Sequence, residues 1–295
     1  MSDKKVKDIS KQDVSNVISK DDSGIKKQDQ YPSEIIDLPS GGKLYPEGHP
    51  LSGGKIEVKY MTAREEDILT SQNLIRKGVV LDRLLDSLIL TKGISVQDLY
   101  VGDKNAIMVA ARILAYGSSY TAEIEDPDSG EKITHNFDLS DLDYKKLPDD
   151  IEYTNANRFV FTLPVSKKDV TIKLLNGRDE EKIDQELTSL SKISGKISRE
   201  VTTRLKHAVV SVDGETDGQK ISDFVENMLA RDSLFLRNKI SEIMPDIVLE
   251  QSIETGEGEV VKVDIPMTTN FFWPQSWTQE NNTWRYIFFS ILWLN

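Results

Sequence analysis

Cysteine is missing from all 295 positions, which excludes disulfides, thiolate metal sites and cysteine nucleophiles. Histidine is scarce. His49, His135 and His207 stand far apart, none in a ligand spacing such as HExxH, so each reads as a surface or packing residue. A basic surplus is also lacking: 49 acidic against 37 basic residues leave a net charge of −12. Nucleic-acid binders need a cationic footprint to displace counterions from phosphates, so that class is disfavoured. Long hydrophobic runs are absent. The closing apolar run is about a dozen residues against the ~20 of a membrane-spanning helix, so membrane insertion is not expected. Residues 1–30 carry seven Lys and six Asp with no apolar stretch behind them, unlike a signal peptide.

Catalytic and nucleotide motifs are missing as well: there is no Walker A loop, no GxGxxG and no GxSxG. Ser189-Leu190-Ser191-Lys192 satisfies S-x-x-K, but its companions S-D-N and K-T-G do not occur. Asp126-Pro127-Asp128-Ser129-Gly130 lacks the glycine and glutamate positions of a calcium loop and reads as a polar hairpin turn. Paired acids such as Glu65-Glu66 fall where a helix should begin, and the helix dipole accounts for them without chemistry. No catalytic residue, cofactor site or metal site is expected.

What is present is an α+β pattern. Met1 to about Ser33 is polar and expected to be a disordered arm. An apolar thread begins at Ile35-Ile36-Asp37-Leu38. Ile56–Tyr60 alternates like a strand, and Thr62 with Glu65 has the spacing of a capping box, so a helix should start there. Val79–Leu90 and Asp103–Tyr116 read as helices, the latter ending at Gly117. Tyr120–Glu125 and Lys132–Leu139 read as a hairpin. The order then recurs. Val170–Glu181 matches Ile56–Asp67 without a gap at an offset of 114, aligning Thr62 with Asn176 and Arg64 with Arg178. Helices are expected at Arg178–Lys192, Arg199–Val212 and Ile221–Ile243, and a second hairpin at Ile247–Ile253 with Glu259–Ile265. The expectation is two related, mainly helical halves, 34–150 and 151–270, each strand, helices and hairpin, followed by an aromatic segment, 271–295.

That last segment is the most unusual part of the chain. Phe271, Phe272, Trp273, Trp277, Trp284, Tyr286, Phe288, Phe289 and Trp293 are nine of the 22 aromatics, and they include every tryptophan. A helix over Tyr286–Leu294 would be apolar all round and would need cover on every side. Aromatic side chains dominate the energetics of interfaces. These nine residues are the candidate protein-interaction set, with internal packing the alternative for Phe271–Trp273.

Several blocks carry a family resemblance: Lys59-Tyr60-Met61-Thr62-Ala63-Arg64-Glu65-Glu66-Asp67 with Asn73–Gly78, Val101-Gly102-Asp103-Lys104-Asn105-Ala106, Arg231-Asp232-Ser233 with Pro245-Asp246-Ile247, and Ile265-Pro266-Met267 with Phe271-Phe272-Trp273-Pro274. Together they resemble the baseplate hub and hub-assembly proteins of T-even-type contractile-tailed bacteriophages over about residues 35–290. The resemblance implies no enzymatic activity. It implies work in the virion tail baseplate, or in the host cytoplasm during assembly, with other tail or hub proteins and the tape-measure protein as partners. It leaves two forms of that role, a hub subunit or an assembly chaperone absent from the mature virion; a cell-wall hydrolase using clustered carboxylates is the rival of another class. It also implies a zinc-type C-x-x-C pair at the hairpin turn, where this chain has Asp126–Gly130 and no cysteine.

Overall fold

Alternating side chains make the first strand pair. In Lys55–Lys59 (β2), Ile56 and Val58 turn inward and are buried, and Ser33–Asp37 (β1) runs antiparallel beside it with Ile36 opposite Ile56. The apolar thread is thus a strand, and it starts at the last residue assigned to the arm. The computed structural model describes residues 31–125, 130, 132–154, 156–194, 199–254, 260–267 and 269–272. The arm up to residue 30 lies outside them.

After β2 the chain enters Ala63–Thr70 (α1), with Thr62 and Glu65 forming the expected capping box. Gln72–Arg76 (α2) and Val80–Leu88 (α3) follow, and α3 buries Val80, Leu84, Leu85 and Leu88 on one face. A single 3₁₀ turn at Val96–Asp98 leads to Val101–Tyr116 (α4), which ends at Gly117 with φ +84°, a value that favours glycine. Ser119–Glu125 (β3) and Lys132–Asp138 (β4) form the first hairpin, pairing Tyr120 with Phe137 and Ile124 with Ile133.

Phe159–Thr162 (β5) and Asp169–Ile172 (β6) open the second set, followed by Gly177–Ser194 (α5) and Glu200–Ala208 (α6). The helix expected over Arg199–Val212 stops at Ala208. Val209–Val212 (β7), rich in β-branched valine, joins β6 antiparallel in a sheet ordered β5-β6-β7. The long helix expected over Ile221–Ile243 is two helices, Gly218–Glu226 (α7) and Ala230–Ile243 (α8). Leu229 between them is extended, at φ −62° and ψ 138°. That break sets Asp232 at the third position of α8, where it accepts the N–H groups of Val165 and Ser166 at 2.8 and 3.0 Å. Glu250–Glu254 (β8) and Val260–Asp264 (β9) form the second hairpin, and a 3₁₀ turn at Thr269–Phe272 ends the described chain.

Matching contacts accompany the recurring order. Lys59 pairs with Glu65 at 2.7 Å, and Lys173 with Asp179, each 114 residues on, also at 2.7 Å. Helices α3 and α6 are both nine residues long, and each returns the chain to a strand: Ile89 bridges Val58, and Val209 pairs with Ile172. The third residue of α4, Asp103, accepts the Ser40 N–H at 2.9 Å from the loop after β1. Asp232 does the same for the loop after β5.

The two sets share one contiguous core, with Leu85, Ile107, Ile172 and Leu236 among its fully buried members. Segments also cross between them: Lys145 donates its N–H to the Asp246 carbonyl at 2.8 Å, and Val248 donates to Asp143 at 2.9 Å. Gly102 makes the closest approach. A Cβ there would lie 1.9 Å from the Pro245 carbonyl oxygen, so only glycine lets α4 meet that loop.

Candidate interaction site

Three carboxylates of the motif blocks, Glu65, Asp103 and Asp232, are buried, whereas Asp67 is exposed and Asp246 lines an open groove. Glu65 is 1% exposed and accepts four hydrogen bonds, from Lys59 Nζ at 2.7 Å, Ser87 Oγ at 2.8 Å, and Thr62 N and Oγ1 at 2.9 and 2.6 Å. Burial would raise its carboxyl, but these donors outweigh burial and hold it at about 2. Asp103 is fully buried and accepts from Ser40 N, Ser40 Oγ and Tyr45 Oη at 2.9, 2.7 and 2.7 Å. Burial dominates there, and its carboxyl is pushed up despite three donors. Glu65 ties β2 and α3 to the start of α1, and Asp103 ties the loop between β1 and β2 to α4. Neither faces a cleft. Among the described residues, no buried side-chain nitrogen or oxygen lacks a hydrogen-bond partner.

Each histidine has a local packing role. His49 stacks on Tyr45 with ring centres 5.0 Å apart, His135 meets Phe137 edge-on at 4.7 Å, and His207 Nε2 lies 2.9 Å from Glu186. Among the described residues, no group of three His, Asp or Glu is arranged to hold a metal ion. The zinc suggested by the family resemblance does not fit this chain, because the thiolate donors are absent and the turn offers only Asp and Ser oxygens. Most of that turn, Asp126–Ser129, lies outside the described residues. No helix among the described residues is long and apolar enough to cross a membrane.

The aromatic set divides. Phe271 and Phe272 have no exposed surface: Phe271 lies edge-on to Tyr120 at 4.9 Å, and its carbonyl accepts from Arg112 Nε at 2.9 Å. Both belong to the core, so the interaction role expected of them gives way to internal packing. Burying two such rings stabilises the fold by roughly 1.5–3 kcal/mol each. Arg112 is itself only 3% exposed and also donates to the carbonyls of Gly117 and Ser119, joining α4, the hairpin entry and the end of the described chain. Trp273, Trp277, Trp284, Tyr286, Phe288, Phe289 and Trp293 lie outside the described residues.

Sequence reasoning missed an open groove of about 1100 Å³ beside α6 and α8. Its floor is apolar, from Leu175, Leu205, Ala208, Ile240 and Met244, and Val101, Val201 and Val248 reach its rim at 41%, 44% and 38% exposure. Arg204 at one edge is held by both carboxylate oxygens of Glu180, at 2.8 and 2.7 Å. Lys145 donates to the Met244 carbonyl at 3.3 Å, and burial lowers its ammonium. Arg237 lines the groove with no hydrogen bond or ion pair to another described residue. The available sequence signal is the i, i+4, i+7 spacing of Val201, Leu205 and Ala208 on α6, repeated at i, i+4 by Ile240 and Met244. That spacing marks apolar faces, but a wall built from two helices and a loop far apart in sequence does not show that the faces meet and stay open.

In comparison with known families, the model described as T4 bacteriophage base plate protein matches residues 31–273. No curated protein and no solved structure matches the chain.

Proposed function

Because this chain belongs to the T4 bacteriophage base plate protein family, we propose that it serves the tail as a non-enzymatic hub subunit or hub-assembly factor that holds another tail protein. The observation that carries this reading is the placement of its polar and apolar groups. The motif carboxylates Glu65, Asp103 and Asp232 are buried and fully occupied as structural acceptors. Among the described residues the chain leaves an open, largely apolar groove, and its sequence carries seven further aromatic residues after Phe272. Those residues, Trp273 to Trp293, are the proposed contact with a hub protein or the tape-measure protein. The fold is read as two related halves, which the paired Lys59–Glu65 and Lys173–Asp179 bridges support.

The test is capture of partners from infected cells by the full chain and by a chain lacking residues 284–295. The full chain should retain tail proteins and the shortened one should lose them, with unchanged thermal unfolding. Retention by both removes the terminus from the reading. Mass spectrometry of purified virions then separates the two roles: presence in mature particles marks a hub subunit, and absence marks an assembly factor. Peptidoglycan release by the purified protein, lost on a carboxylate substitution that leaves folding intact, would replace this reading with a hydrolase.

A further inference from the structure

Arg112 and Ser241 occupy the same place in their helices, each being the twelfth residue, yet their surroundings differ. Beside Arg112 the chain seats an aromatic residue, Phe271, whose carbonyl takes the guanidinium hydrogen bond and whose ring meets Tyr120. Beside Ser241 lies the open groove. We propose that this groove seats the chain's own residues 273–295, which dock there as Phe271 does beside Arg112 and leave when a baseplate partner takes them. The inference rests on the reading of the two sets as related and of the terminus as partner-facing.

The groove's chemistry suits that occupant. Leu205, Ile240 and Met244 give an apolar floor, and Val201 and Val248 leave apolar surface at the rim. Arg237 stands one helical turn before Ser241, without a partner among the described residues, and is placed to donate to a main-chain carbonyl as Arg112 does. The occupant carries only two charged side chains, Glu280 and Arg285, over 23 residues. Reach is short. Asp264 lines the groove and Phe271 follows seven residues later, so the two lie within about 25 Å, while 23 extended residues span about 75 Å. Tethering on one chain gives an effective concentration on the order of millimolar, which favours this occupant over a free segment of the same composition.

All four tryptophans belong to residues 273–295, so tryptophan emission reports on that segment alone. The full chain should show blue-shifted emission, weak acrylamide quenching, and no dependence of either on protein concentration. The double variant Val201→Asp with Val248→Asp, at two exposed positions, should red-shift the emission and increase quenching at an unchanged melting temperature. Arg237→Glu provides a second variant at an exposed site. Solvent-like emission in the parent, or emission unmoved by both variants, overturns the proposal. A shift that grows with protein concentration also overturns it, since a second copy would then fill the groove. Partner capture separates the two ideas. Variants with freed tryptophans should capture at least as well as the parent. If deletion of 284–295 leaves capture intact, the partner reading falls while the emission still decides the docking.

Discussion

Replacing Glu65 by alanine removes the acceptor of four hydrogen bonds at once and leaves Lys59, whose side chain is 11% exposed, without its carboxylate. Two estimates bear on the cost. Removing one partner of a buried pair costs about 3–5 kcal/mol, because the remaining charge is stranded. The carboxyl is held at about 2 against an ordinary 4.5, which corresponds to about 3 kcal/mol of stability at neutral pH. The folded value lies below the unfolded one, so this contribution is fully present above pH 4.5 and is lost as pH falls toward 2. Urea denaturation of parent and Glu65→Ala proteins at pH 7 should therefore separate them by about 3–5 kcal/mol. The gap should shrink steadily between pH 4.5 and pH 2.5, as the parent's carboxylate takes up a proton. A gap under about 1 kcal/mol at pH 7, or one that does not close in acid, would refute the claim that this carboxylate is a structural acceptor.

Asp179→Ala, at the matching but more open pair with side-chain exposures of 26% and 12%, should cost less, about 1–2 kcal/mol in the same urea assay. Asp103→Ala strands the Ser40 and Tyr45 donors. A loss of about 3 kcal/mol or more is expected, seen as a lower melting temperature in calorimetry. Gly102→Ala sets a methyl group against the Pro245 carbonyl and should destabilise by about 2 kcal/mol or more, whereas Gly53→Ala, with open space around it, should stay within about 1 kcal/mol of the parent.

Local signals in the sequence carried well where the chain decides its own conformation. Thr62 and Glu65 announce the start of α1, and Gly117 marks the end of α4, because capping chemistry acts within four residues. The VVSV run reads as helix in sequence, since it follows an amphipathic segment with no Gly or Pro between them. Only its pairing with β6, some 40 residues earlier, makes it a strand. The break between α7 and α8 has the same origin: Asp232 is drawn to the loop at Val165 and Ser166, a demand invisible in the helix's own residues. For Phe271 and Phe272 the sequence leaves interaction and internal packing both open, because nothing nearby in sequence shows what covers them. Phe271 meets Arg112 and Tyr120, contributed from more than a hundred positions earlier, and Phe272 lies edge-on to Phe271. Glu65 is legible as a cap, but Lys59 of β2 and Ser87 of α3 enclose it, and Asp103 is enclosed by Ser40 and Tyr45 of the loop after β1.

The hydrogen bond from Arg112 to Phe271 spans 159 residues and has a consequence in time. During synthesis, at about 5–20 residues per second, α4 and the first hairpin are made well before Phe271 exists. For roughly ten seconds or more the Arg112 guanidinium, Tyr120 and the first hairpin's entry wait without the residue that completes them. A product cut short ahead of Phe271 would therefore leave the ribosome without the carbonyl and ring that Arg112 and Tyr120 meet in the finished fold.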